Sequence, residues 1–109
     1  MAVQAAFIDV DLTIIDIQGN LLPDVEKTLK ELTLRYQLIC WSAGGAEYAT
    51  RILEKHDLLP YFMYVLSKPD ILVDDAPEGI VNSANKVYIK DRNSWSTVWN
   101  QIFHKETAL

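Results

Sequence analysis

The sequence predicts an α/β fold: a three-layer α/β/α, Rossmann-like parallel sheet with helices on both faces. Two observations carry this. Short apolar runs ending in polar or acidic residues alternate along the chain with longer segments whose apolar residues recur at helical spacing. No repeat, low-complexity tract or linker-like stretch interrupts the alternation, so 109 residues read as a single domain over 1–109.

Ala5-Ala6-Phe7-Ile8 is the first buried strand, ending at Asp9. Leu12 to Ile17 is apolar and β-branched, and reads as a short hairpin or flap before Gln18-Gly19-Asn20 turns the chain. Pro23 suits the first position of a helix, with Asp24 and Glu26 in its positive first turn and Val25, Leu29 and Leu32 on one face. Gln37 to Trp41 is a second strand, and Ser42-Ala43-Gly44-Gly45 turns into a helix whose apolar face is Ala46, Ala49, Ile52 and Leu53. After Pro60 come three more extended runs, Tyr61 to Leu66, Ile71 to Val73 and Lys86 to Ile89. Ser94 caps a last helix with Trp95, Val98, Trp99, Ile102 and Phe103 on one stripe, read as core.

Composition narrows the functions. Half of the residues are hydrophobic, enough for a core without staples. The net charge of −5 disfavours long-range attraction to nucleic acid, and Lys86, Lys90 and Arg92 read as solvated charges. The lone Cys40 lies in an apolar run, and no stretch has the length of a membrane span; a cytoplasmic protein without a membrane partner is expected. His56 and His104 show no metal spacing and read as structural or exposed.

In parallel sheets, ligands bind at the carboxyl ends of the strands. Asp9, Ser42, Asp74 and Asp75 all follow predicted strands, so they are expected at one edge. Side chains at i and i+2 of an extended strand point the same way, which places the Asp9 and Asp11 carboxylates together. Carboxylates that close repel unless a cation lies between them, and an oxygen-only donor set suits Mg²⁺. Lys68 offsets the acids and holds a phosphate oxygen, while Ser42 and the amides of Ala43, Gly44 and Gly45 form an anion site at a helix start. Carboxylate nucleophile, divalent cation and anion site together describe phosphoryl transfer to a phosphorylated substrate.

The segment Ala6-Phe7-Ile8-Asp9-Val10-Asp11-Leu12-Thr13-Ile14 resembles the first signature of the haloacid dehalogenase-like hydrolases, Asp-x-Asp-x-Thr after an apolar strand. Leu38 to Ser42 resembles the second, Lys68 the third, and Ile71-Leu72-Val73-Asp74-Asp75 the fourth in its Asp-Asp form. The four occur in the family's order and span most of the chain. The resemblance implies a Mg²⁺-dependent phosphatase acting on a phosphate monoester, nucleotide or macromolecular, through an aspartyl-phosphate. It assigns Asp9 as nucleophile and metal ligand, and Asp11 as general acid/base with its main-chain carbonyl on the metal. It places Thr13 in loop and substrate binding, Ser42, Ala43, Gly44 and Lys68 on the phosphoryl group, and Asp74 and Asp75 on the metal. Glu78 is a further candidate beside the metal. The intervals from Asp11 to Ser42 and from Ser42 to Lys68 hold no cap domain, which implies an open site for large substrates or a partner subunit acting as lid. The competing readings are a receiver-like phospho-acceptor domain and a non-catalytic binding protein on the same fold. The late position of the acidic pair, after Lys68, disfavours the receiver.

Overall fold

The computed structural model describes residues 4–74, 85–88 and 95–107, with side chains over 4–74 and 95–103. The chain is mixed α/β. Its elements run β1 (Gln4–Ile8), α1 (Val25–Leu32), β2 (Tyr36–Ser42), α2 (Ala46–Lys55), a 3-10 turn (Leu59–Tyr61), β3 (Phe62–Ser67), β4 (Ile71–Asp74), β5 (Asn85–Tyr88) and α3 (Trp95–Thr107). They fall into two compact units, Met1–Lys68 and Pro69–Leu109. The described strands form two parallel ladders, β1-β2-β3 in the first unit and β4-β5 in the second. No helix among the described residues is long and apolar enough to cross a membrane.

In the first unit, parallel pairing of β1 with β2 and of β2 with β3 requires a crossover each time, and α1 and α2 supply them. β2 alternates: Leu38, Cys40 and Ser42 are fully covered, while Ile39 and Trp41 face the other way. Leu38 and Cys40 join Leu29 of α1, Ala49 and Leu53 of α2, Leu58, Phe62, Val10 and the flap residues Ile14 and Ile15 in one core.

β3 carries one residue more than β2 across their ladder. Leu38 pairs with Phe62 and Ile39 with Tyr64, so Met63 is a bulge. The bulge explains why Phe62 and Val65, three apart, both pack on the core. From there the register runs on to Ser42 opposite Ser67.

α1 begins two residues later than the sequence suggests. Asp24 adopts a left-handed conformation (φ 63°) and stands at the N-cap, so Pro23 lies outside the helix and only Glu26 lies in the first turn. Aspartate tolerates this region better than most residues. In the second unit, β4 ends on Asp74, and α3 packs against β5. The α3 stripe is core only in part. Val98 is buried and Ile102 half-buried, but Trp95, Trp99 and Phe103 are exposed. Asp75, Glu78, Ile89, Lys90, Arg92, Ser94 and the side chains of Lys86 and His104 lie outside the described residues.

Cys40 is a structural thiol. Burial, then the charge of Asp9, pushes its pKa up from 9.0 to about 11. Below pH 9 both folded and unfolded chains keep the proton. Between 9 and 11 the unfolded chain has lost it while the folded chain has not, so stability falls as pH rises, by at most about 1.4 kcal/mol per pH unit. Urea unfolding of wild type and Cys40→Ala at pH 8 and pH 10 is expected to show wild type losing about 1 kcal/mol more than the variant. Equal losses exclude the linkage.

Candidate functional site

Asp9, Ser42 and Lys68 stand at the carboxyl ends of β1, β2 and β3, as parallel topology requires. Lys68 Nζ lies 3.4 Å from Asp9 Oδ1, with the two side chains 25% and 35% exposed. The ammonium also lies 5.9 Å from the centre of the Trp41 ring, which packs edge-on against Phe7 at 4.9 Å. Asp9 after β1 and Trp41 of β2 thus both meet one cation, and Phe7 of β1 backs the Trp41 ring.

Asp11 takes a different course. The strand ends at Ile8, and the Val10 carbonyl accepts the amides of Thr13 (3.2 Å), Ile14 (2.9 Å) and Ile15 (3.3 Å), so the chain curls into a tight turn with Leu12 left-handed at φ 60°. The same-side rule for extended residues no longer applies. Asp9 meets Lys68, and Asp11 instead accepts a hydrogen bond of 2.5 Å from the Tyr48 hydroxyl on α2. Each carboxylate of the expected pair thus has a partner of its own, Lys68 for Asp9 and Tyr48 for Asp11. Thr13 is exposed in the turn and borders a shallow hollow with Ile8, Pro23 and Leu29.

The turn after β2 is knitted tightly. Ser42 is fully buried; its Oγ accepts the Gly44 amide at 3.0 Å, and its carbonyl accepts the amides of Gly45 (3.1 Å) and Lys68 (2.9 Å). Two of the amides expected to meet an anion thus donate within the turn; Ala43 is exposed beside them. Gly45 sits at φ 104°, where a Cβ is strained. The first amide of α2, Ala46, donates to Ser67 Oγ at 2.9 Å, so β3 caps the helix that follows β2.

The flap closes on itself and on α2. Asp16 Oδ1 accepts the amides of Gln18 and Asn20, both at 2.9 Å, and the Asp16 amide donates to the Asn20 carbonyl at 2.8 Å. His56 Nε2 lies 3.0 Å from the Gly19 carbonyl, so that nitrogen carries the proton and donates. Between flap and helix lies an open cleft of about 410 Å³, walled by Leu12, Ile15, Ile17 and Ile52, with Asp11 and Tyr48 at its edge. His56→Ala is expected to cost about 1 kcal/mol and to speed amide exchange at Gln18 to Asn20. Unchanged exchange there removes His56 as the flap's anchor.

Among the described residues no three His, Cys, Asp or Glu side chains converge as metal ligands. The donors present are nevertheless of the type Mg²⁺ takes: carboxylate and carbonyl oxygens, one or two of which suffice when water and phosphate complete the shell. Asp74 closes β4 in the second unit. Sequence reasoning missed Tyr48 and Ser67. Tyr48 had a legible signal in its place on the first turn of a helix entering from the Ser42 loop; Ser67 had none beyond its nearness to Lys68. No protein-family model, curated protein or solved structure matches the chain.

Proposed function

We propose that the chain is a Mg²⁺-dependent phosphohydrolase of haloacid dehalogenase-like type, acting on a phosphate monoester through an aspartyl-phosphate on Asp9. The observation that supports it most is the Asp9 carboxylate held 3.4 Å from Lys68 at the carboxyl ends of adjacent parallel strands. A carboxylate and an ammonium at that edge are what a phosphoryl group needs: a nucleophile and a charge that offsets its own.

In this reading an Asp9 oxygen attacks phosphorus as the bond to the ester oxygen breaks, and Asp11 gives that oxygen its proton. Water then attacks the phosphorus of the acyl phosphate, Asp11 takes the proton back, and inorganic phosphate leaves with the Asp9 carboxylate restored. Lys68 stabilises the charge on the transferring oxygens, and the Ser42 turn fixes Lys68 through its backbone amide. Asp9 and the Asp11 carbonyl would hold Mg²⁺, with Asp74 and Asp75 assigned to it by the resemblance alone, and the ion would supply charge neutralisation. The haloacid dehalogenase-like three-layer sheet without a cap belongs to the same proposal. So do a nucleotide or macromolecular substrate at an open site and a cytoplasmic location, which the single buried thiol favours.

The test is phosphate release from 4-nitrophenyl phosphate, nucleotides and phosphorylated oligonucleotides, with Mg²⁺ and with chelator. Turnover that needs Mg²⁺ is expected. A stable phospho-aspartate without release points to a receiver, and the absence of both phospho-enzyme and release overturns the assignment.

A further inference from the structure

Asp11 projects from a curled, exposed turn, where a carboxylate has no reason to hold one orientation. Its Oδ1 nevertheless accepts the Tyr48 hydroxyl at 2.5 Å. The phenol itself is fixed. It stands on the first turn of α2, whose start is tied to β3 by Ser67 and to β2 by the Ser42 carbonyl. Its ring lies over Gly44: a Cβ there would come within 2.8 Å of Tyr48 Cδ2 and 3.3 Å of Cε2, so the missing side chain is the space the ring occupies. Gly44 thus serves Tyr48 as well as the turn.

We propose that Tyr48 is a positioning residue that orients Asp11 for proton transfer to the leaving group and from the attacking water, a step that rests on the phosphohydrolase reading above. By donating to Oδ1, the phenol leaves Oδ2 as the oxygen that carries the exchangeable proton. Asp11 and Tyr48 both border the cleft of about 410 Å³, so the leaving group belongs between flap and α2, beside the free oxygen. Tyr48 acts through Asp11 and does not itself touch the reacting atoms.

The test compares phenyl phosphate with 4-nitrophenyl phosphate, which share a shape but differ in how much their leaving oxygen needs a proton. Tyr48→Phe keeps the ring over Gly44 and removes only the hydroxyl. It is expected to lower kcat/KM on phenyl phosphate about tenfold and on 4-nitrophenyl phosphate less than about twofold. In an Asp11→Asn background, Tyr48→Phe is expected to change neither. Equal losses on the two substrates, or a loss that persists without the Asp11 carboxylate, overturn the proposal and leave Tyr48 a packing residue. Wild-type turnover of both esters with an unaffected Tyr48→Phe overturns it alone; no Mg²⁺-dependent turnover by wild type overturns the phosphohydrolase reading with it.

Discussion

Asp9→Asn is expected to lose about 10⁴-fold or more in phosphate release while folding like wild type. The amide keeps the shape of the carboxylate but has no nucleophilic oxygen able to form an acyl phosphate. The substitution also removes the partner of Lys68. Both side chains reach solvent and lie 3.4 Å apart, so the pair is screened, and its loss costs at most about 1 kcal/mol. Lys68 keeps the face of Trp41. Phosphate release and the thermal midpoint, measured on the same preparation, separate the two effects. Wild-type rates in the variant sink Asp9 as nucleophile; a collapsed midpoint shows that the ion pair carries the fold instead.

Lys68→Met is expected to lower kcat about 10²- to 10³-fold, the usual cost of removing a preorganised charge from a developing anion. Methionine keeps most of the stem over Trp41 and removes the ammonium. A dianionic ester then approaches the Asp9 carboxylate without the ammonium that stands 3.4 Å from it. Lys68→Arg is expected to recover little of the loss, because a planar guanidinium spreads its charge over a fork that the compact ammonium position does not match. Steady-state rates at two salt concentrations check this. A loss in Lys68→Met that vanishes at high substrate identifies Lys68 with ground-state binding alone.

Strand existence was easy to read because each strand is an apolar run with a polar stop, and the convergence of Asp9 and Lys68 follows from parallel topology once those stops are known. What escaped the sequence was set by single backbone choices. Asp24 turns left-handed and delays α1. The curl after Val10 brings Asp11 to Tyr48 of α2, and only the hydrogen bonds gathered on one carbonyl reveal it. Tyr48 and Ser67 act across elements, and such pairings leave no trace in local spacing. The α3 stripe was correct as a period and wrong as a measure of burial, since periodicity says which residues share a face but not how much of that face a partner covers.

The extra residue in β3 has a consequence for how the chain tolerates length changes. Past Met63 the strand runs in the opposite phase from an unbulged one. An odd insertion or deletion inverts every later side chain, whereas an even one only translates them. Met63 is the exception: removing it alone would erase the bulge, leaving Phe62 and Val65 two apart on one face, still opposite Leu38 and Cys40, with Ser67 still opposite Ser42 and Lys68 next after it. β3 therefore holds its slack in one place: a residue lost at the bulge is absorbed there, whereas one lost beyond Val65 would put the cation on the wrong side.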